Sequence, residues 1–204
     1  MQHAESYRLF VAISVPEGVK DEMERAQTEF RRALPEQCVR WAKREQFHLT
    51  LKFLGDVPAN RAEPLVGALQ QACRGFPVLR LRAEQIGFFP NVKSPRVIWV
   101  GLHDDQEVLT KLQEAVESAV RDFTAEQAEG RFVGHVTLGR VKMIKRPQTH
   151  VLSRLALDMA EKVFGDWTAD KVEVIRSELL PGGAQYTTLA EIALGRNNSG
   201  ENRG

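Results

Sequence analysis

Two short segments of this sequence repeat one pattern of histidine, threonine and leucine. The segments are HLTLKFLGDV, which begins at His48, and HVTLGRVKMI, which begins at His135. Residues two apart on a β-strand share a face, so His48 and Thr50 are predicted to point together, as are His135 and Thr137. The chain has only five histidines. Chance would place H-x-T-L twice with a probability on the order of 10⁻³ or less, so the pattern indicates a duplicated functional segment.

Two imidazoles and two hydroxyls that face each other across a cleft suit phosphodiester chemistry. A neutral imidazole takes a proton from the attacking oxygen and an imidazolium protonates the leaving oxygen, because the unperturbed pKa of histidine is about 6.5. The hydroxyls of Thr50 and Thr137 are predicted to donate hydrogen bonds to the non-bridging phosphate oxygens. These residues alone do not say which of His48 and His135 is the acid and which is the base.

Other chemistries are disfavoured by the spacing of the residues. Neither motif offers a second metal ligand at H-x-H or H-E-x-x-H spacing, and threonine is a poor ligand, so we expect neither a metal nor another cofactor. A serine triad is disfavoured because the chain has no G-x-S-x-G segment. The three remaining histidines are interpreted as surface residues: His3, His103 and His150.

Hydrophobic periodicity predicts alternating strands and helices, with each motif on a strand that a helix follows. Strands are predicted over 8–15, 47–57, 77–89, 96–102, 131–144, 170–180 and 186–194, and helices over 17–34, 60–73, 104–124 and 148–164. The helix over 104–124 is predicted to be the longest and to be capped by Asp104 or Asp105.

The order of these elements predicts an α+β fold. Hairpin-like turns occur twice, which disfavours a doubly wound parallel sheet. The repeated motif predicts two similar lobes about a pseudo-two-fold axis, with the two motif strands face to face. We expect one bilobal domain over 1–194, followed by a loose polar tail over 195–204 that contains no hydrophobic residue.

The composition is that of a globular protein with a sizeable core. The chain has 204 residues, of which 43% are hydrophobic. The apolar run from Leu9 to Val15 is interpreted as a first strand and not as a signal peptide, and no segment is expected to span a membrane. Cys38 and Cys73 lack CxxC spacing and are interpreted as buried thiols, which favours a cytoplasmic location. The net charge of +1 argues against broad coating of nucleic acid, so any anion site must be concentrated.

The paired motifs and their flanks resemble the 2H phosphoesterase superfamily, which is named for two H-x-[ST]-x motifs. Within it, the chain is most similar to the RNA 2′,3′-cyclic phosphodiesterases, formerly called 2′-5′ RNA ligases. The resemblance covers nearly the whole chain and rests on the segments RLFVAISVP, RWAKREQFHLTLKFLGDV, GFFPNVKSPRVIWVGL, FVGHVTLGRV and SELLPGGAQYTTL. It implies a bilobal α+β fold of two antiparallel sheets that face a central cleft, with the helices outside.

The resemblance also implies a reaction and a role for each motif residue. The reaction is hydrolysis of an RNA-terminal 2′,3′-cyclic phosphate to a 2′-phosphate, with weak, reversible joining of tRNA halves through a 2′-5′ linkage. His48 matches the proton donor to the leaving 3′ oxygen, His135 matches the base for water, and Thr50 and Thr137 match phosphate ligands. The expected partner is RNA with a cyclic phosphate end. The protein is expected to act as a monomer, without metal and away from membranes.

Two positions of the second motif complicate this resemblance. Many relatives carry proline immediately before the second histidine, where this chain has Gly134, so a looser backbone is expected there. Arg140 matches a family arginine and is predicted to bind phosphate. Strict alternation puts Arg140 on the apolar face of the strand, so it reaches the cleft only if Gly139 marks a bulge or the strand twists.

Further candidates lie in and before the first motif. Lys52 shares the parity of His48, and strict alternation places Phe53 on the opposite, apolar side. The basic residues before the motif are candidates for guiding an RNA backbone: Arg40, Lys43 and Arg44. Four aromatic residues are predicted to belong mostly to the core, with one of them a candidate for stacking a terminal base: Phe53, Phe89, Trp99 and Tyr186.

Two alternatives from other classes stay open. The first is an RNA- or nucleotide-binding module that keeps the fold without turnover, although pure binding does not require two titrating imidazoles. The second is an RNase that cleaves internal linkages by two-histidine transphosphorylation and stops at the cyclic phosphate.

Overall fold

The structure, a computed structural model, describes residues 5–126, 130–181 and 183–195. Within these ranges the chain forms nine β-strands and four α-helices. The strands are β1 (Ser6–Ser14), β2 (Val39–Trp41), β3 (His48–Pro58), β4 (Leu79–Phe89), β5 (Val97–His103), β6 (His135–Val141), β7 (Val163–Ala169), β8 (Lys171–Leu180) and β9 (Gly183–Ala193). The helices are α1 (Glu17–Ala33), α2 (Ala62–Cys73), α3 (Val108–Ala119) and α4 (Arg146–Asp158). The part of the predicted tail that follows Gly195 lies outside the described residues.

The strands form two antiparallel sheets, which confirms the predicted α+β class. Sheet I has the order β3-β1-β8-β9 and sheet II the order β2-β6-β5-β4-β7, and every recorded pairing is antiparallel. The run β1-α1-β3-α2 recurs as β5-α3-β6-α4. In each run the motif strand pairs with the strand that precedes the intervening helix, so the predicted duplication is present in the topology.

Helices and sheets are exchanged between the two halves. Helix α1 follows a strand of sheet I but packs against β7 of sheet II, whereas α3 follows a strand of sheet II but packs against β3 of sheet I. Helix α1 buries Val19, Met23, Ala26 and Phe30 at steps of three and four residues, as the periodicity predicted. The exchange joins the halves into one continuous apolar core.

Three predictions about the elements were wrong. The strand β7 was missed because the predicted helix over 148–164 was extended too far. The helix ends at Asp158, and the chain then forms β7, which pairs with β4. The three-residue strand β2 was also missed because it is too short to show a period. The longest helix is α1, with 17 residues, whereas α3 covers only Val108–Ala119. The N-cap residue is Glu107 and not Asp104, but the Asp104 carboxylate does accept from the first helical amides, those of Val108 and Leu109, at 2.6 and 3.2 Å.

The cysteines and the membrane prediction can be compared directly with the structure. Cys38 and Cys73 are both unpaired and buried, as expected. Among the residues that the structure describes, no helix is long and apolar enough to cross a membrane.

Candidate active site

A cavity of about 1250 Å³ lies between the two sheets and holds both motifs. His48 and Thr50 line it from β3, and His135 and Thr137 line it from β6. The two strands approach each other across this space. The structure therefore brings together all four residues of the paired motifs.

Each motif strand contains a β-bulge at the same position. On β3, Thr50 pairs with Ala12 and Lys52 with Val11, so that Leu51 has no partner on β1. On β6, Thr137 pairs with Trp99 and Gly139 with Ile98, so that Leu138 is the extra residue. The six-residue burial patterns that begin at the two histidines are identical. A bulge reverses the alternation of the residues that follow it.

This reversal corrects two orientations that strict alternation predicted. Arg140 lines the cavity and does not lie on the apolar face. Phe53, at the equivalent place on β3, also lines the cavity and is 56% exposed, so its assignment to the apolar side was wrong. Lys52 lines the cavity as its parity predicted, but it is buried, at 6% exposure. Its ammonium group contacts the Glu117 carboxylate at 2.6 Å and donates to the Glu126 carbonyl at 2.7 Å.

Buried glutamines from the exchanged helices hold the two bulges. The Gln27 amide on α1 donates to the carbonyls of Leu138 and Ala42 at 2.9 and 2.8 Å. The Gln113 amide on α3 donates to the carbonyl of Leu51 at 3.4 Å. Both glutamines are buried, and each bonds the bulge carbonyl on the motif strand of the opposite half. The Leu138 carbonyl also accepts from the Ala42 amide at 2.9 Å, so Gln27 adds a second donor at this bulge.

Sequence reasoning missed these glutamines, although a signal was present. Gln27 lies one turn from Met23 and Phe30 in the apolar stripe of α1. Gln113 has the same relation to Leu109 and Val116 in α3. A polar residue in the same place of two apolar stripes predicts a buried hydrogen bond.

His48 lies in an aromatic environment. Its ring stacks on Phe10 with centroids 4.8 Å apart. The Tyr186 ring meets it in a T-shaped arrangement with centroids 5.4 Å apart. Burial, together with the charges of His135 and Lys20, lowers the pKa of His48 to about 4. Phe10 lines the cavity and packs with Ala12 and Ile175 in a small cluster that is separate from the main core.

His135 is held by its own backbone. Its Nδ1 lies 2.8 Å from the Val133 carbonyl oxygen, and a carbonyl only accepts, so Nδ1 carries the proton and Nε2 has the free lone pair. Burial lowers the pKa of His135, the bond to Val133 opposes this, and the charge of Arg140 adds to the lowering. The rings of Phe89 and Trp99 lie 5.0 and 6.0 Å away, so these two aromatic residues border the site.

Gly134 does not make the backbone looser, contrary to our expectation. Its carbonyl accepts from the Leu102 amide at 2.9 Å, and a Cβ atom at this position would lie 2.7 Å from the Leu102 carbonyl oxygen. The glycine is needed because the backbone before His135 packs closely against β5.

The remaining candidates are dispersed. Arg44 forms ion pairs with three carboxylates of α1, those of Glu17, Asp21 and Glu24, and so it is tied to that helix. Arg40 lines the cavity, and Lys43 lies beside Gly183. His103 and His150 are exposed, as predicted, and His3 lies outside the described residues. Within those residues, no group of three or more His, Cys, Asp or Glu side chains is arranged to hold a metal ion.

Comparison with known proteins gives consistent matches over most of the chain. The family model described as LigT like Phosphoesterase matches residues 13–99. An RNA 2′,3′-cyclic phosphodiesterase of Thermotoga maritima is 30% identical over 187 residues, which cover 90% of this chain and 94% of the relative. A crystal structure of the Thermus thermophilus protein TT0787 is 29% identical, with a TM-score of 0.73 and coverage of 92% of this chain and 97% of that one. E. coli LigT complexed with 3′-AMP shares the fold at 23% identity, with a TM-score of 0.74 and coverage of 94% and 100%.

Replacing Gln27 tests the importance of the held bulge. We expect Gln27→Leu to lower the free energy of unfolding by about 1–3 kcal/mol, because the carbonyls of Leu138 and Ala42 each lose one hydrogen bond, and to lower kcat more than it raises KM. Gln70→Leu on the exposed side of α2 is the matched control and should change neither. Denaturant unfolding and steady-state kinetics on a cyclic nucleotide would check this. A Gln27→Leu protein with normal stability and kcat would show that the bulge needs no support.

Proposed function

This chain belongs to the LigT-like phosphoesterase family, and from that premise we propose that it hydrolyses RNA-terminal 2′,3′-cyclic phosphates to 2′-phosphates. The relatives named for this activity match most of the chain at modest identity. The observation that carries the proposal is the placement of two imidazoles and two hydroxyls around one cavity by equivalent bulged strands. That arrangement offers an acid, a base and phosphate ligands.

In the proposed reaction, a water molecule attacks the phosphorus of the cyclic phosphate. His135 Nε2 takes a proton from this water as the P–O bond to it forms. His48 gives its proton to the 3′ oxygen as the P–O3′ bond breaks, which leaves a free 3′-hydroxyl and a 2′-phosphate. The free lone pair on Nε2 of His135 supports the role of base, and the assignment of His48 as acid follows the family resemblance.

The protonation states need the substrate. In the free protein burial lowers the pKa of both imidazoles, so both are neutral at neutral pH. The cyclic phosphate carries a negative charge, which favours the charged form of an adjacent imidazole and raises its pKa. Binding of the substrate thus supplies the protonated His48 that the reaction requires. Because the two imidazoles interact, the apparent pKa values belong to the pair.

The phosphate ligands follow from the same geometry. Thr50 and Thr137 share the cavity face with the histidines, and the bulge adds Arg140 to this set. We propose that the hydroxyls and the guanidinium bind the non-bridging oxygens and follow the charge that develops during attack. The site would act on a phosphate that is already held in line with the base.

We also propose an oligomeric state, a second reaction and a location for this protein. Both motifs come from one chain, so a monomer and a single bilobal domain over 1–194 suffice. No step uses a metal ion or another cofactor. A 5′-hydroxyl that replaces water as the nucleophile would yield a 2′-5′ linkage, which accounts for weak joining of tRNA halves. We propose that this chemistry takes place in the cytoplasm.

The nature of the product tests the proposal most simply. We expect adenosine 2′,3′-cyclic phosphate to be converted to the 2′-phosphate at the same rate with and without EDTA, because the acid and the base are both imidazoles. Chromatography against authentic 2′- and 3′-phosphates would identify the product. A His48→Ala protein from the same purification controls for contaminating enzymes. A 3′-phosphate product, a rate that falls in EDTA or an absence of turnover would overturn the assignment.

The pH dependence should reflect the lowered pKa values. We expect a bell-shaped profile of kcat/KM with its optimum below about 6.5, because burial lowers the pKa of His48 to about 4 and lowers that of His135. The activity falls at higher pH as His48 loses its proton, and at lower pH as His135 gains one. The optimum of kcat should be higher than that of kcat/KM, because the bound phosphate raises the pKa of His48.

Variants assign the two limbs of this profile. Residual rates measured from roughly pH 4 to 9 should lose the acidic limb in His135→Ala and the alkaline limb in His48→Ala. The opposite assignment would mean that the acid and the base are reversed. A flat profile in the unaltered protein would contradict rate-limiting proton transfer.

A further inference from the structure

Three arginines lie side by side where sheet II borders the cavity. Arg40 on β2 and Arg140 on β6 are direct cross-strand partners. Arg96 immediately precedes β5, and its carbonyl accepts from the Val141 amide at 2.9 Å. All three line the cavity that contains His48 and His135. We call this set, Arg40, Arg96 and Arg140, the arginine edge.

The arginine edge concentrates positive charge that the protein does not neutralise. Like charges directly opposite each other on adjacent strands are destabilising. Within residues 5–126, 130–181 and 183–195, no carboxylate forms an ion pair with any of the three, whereas Arg44 and Arg82 outside the edge both have carboxylate partners. This concentration occurs in a chain with a net charge of only +1. An anionic ligand would supply the missing counter-charge.

The arginine edge begins at the reaction centre and leads away from it. The charge of Arg140 lowers the pKa of His135, so this guanidinium lies close to the proposed base. Burial raises the pKa of Tyr186, and the charges of Arg140 and Arg40 oppose this. The Tyr186 ring in turn contacts the ring of His48. The Cβ atoms of direct cross-strand partners are about 5 Å apart. Two long guanidinium side chains at that spacing can hold successive phosphates of one strand.

We propose that Arg40, supported by Arg96, binds the phosphodiester on the 5′ side of the terminal nucleotide. This inference rests on the proposed function, which places the cyclic phosphate between the histidines and beside Arg140. A guanidinium binds phosphate through two parallel hydrogen bonds, and Arg40 and Arg96 are both exposed. The site is then built for the end of an RNA chain, and a mononucleotide leaves part of it empty.

Three substrates isolate the contribution of that single phosphate. They are adenosine 2′,3′-cyclic phosphate, the dinucleotide ApA with a 2′,3′-cyclic end, and a matching dinucleotide whose internal linkage is a neutral methylphosphonate. We expect the unaltered protein to have a kcat/KM about tenfold higher for the charged dinucleotide than for the other two. Arg40→Ala should reduce this ratio to near one, and Arg40→Lys should retain part of it because the charge remains. The salt dependence for the charged dinucleotide should become shallower: the negative slope of log kcat/KM against log salt should decrease in magnitude by about one in Arg40→Ala.

Arg32→Ala is the matched control, since Arg32 is exposed at the end of α1 and lies away from the cavity. It should keep the ratio of the unaltered protein. The proposal is overturned if Arg40→Ala keeps that ratio, or if it lowers the rates on all three substrates equally. These outcomes are distinct from failure of the proposed function, in which the unaltered protein would not hydrolyse the mononucleotide.

Discussion

The two β-bulges are the constraint on which the site depends. A regular strand alternates its side chains, so it cannot place residues i, i+2 and i+5 on one face. The extra residue, Leu51 in one strand and Leu138 in the other, removes this conflict and adds a third side chain to the face that carries histidine and threonine. Gln27 and Gln113 donate to the carbonyls of these two extra residues. Because each glutamine comes from the helix of the opposite half, the exchange of helices between the halves and the geometry of the site are parts of one arrangement.

The duplicated frame carries different residues at equivalent places, and these differences give the cavity two unlike sides. The position after the bulge is the exposed Phe53 on β3 and Arg140 on β6. The residue just before it, four after the histidine, is Lys52 on β3 but Gly139 on β6. A Cβ atom at Gly139 would lie 2.7 Å from the Val39 side chain. The glycine therefore makes room for β2, which pairs only along β6 and brings Arg40 to the cavity. At these equivalent places, sheet I presents an aromatic side chain to the cavity and sheet II presents guanidinium groups.

The sequence predicted the parts of this structure that depend on repetition and alternation. The motif strands, the amphipathic helices and the four residues at the cavity followed from period and from the repeated H-x-T-L. The orientations of Phe53 and Arg140 did not, because a bulge requires no particular residue type in the sequence. The strand β7 was missed because its pairing with β4 overrides a local pattern that continues that of α4. The resemblance to known phosphoesterases supplied the acid and base assignment, which parity cannot provide.

The central claim is that the two imidazoles act as a pair, and paired substitutions measure this most directly. His48→Ala and His135→Ala should each lower kcat/KM on adenosine 2′,3′-cyclic phosphate by roughly 10²–10⁴-fold, with Thr50→Ala and Thr137→Ala less severe. The double histidine variant should be little slower than either single variant, because residues that act as a unit are strongly non-additive. Circular dichroism and thermal unfolding would establish that each variant is folded. A folded single variant that keeps a near-normal rate would contradict the two-histidine mechanism.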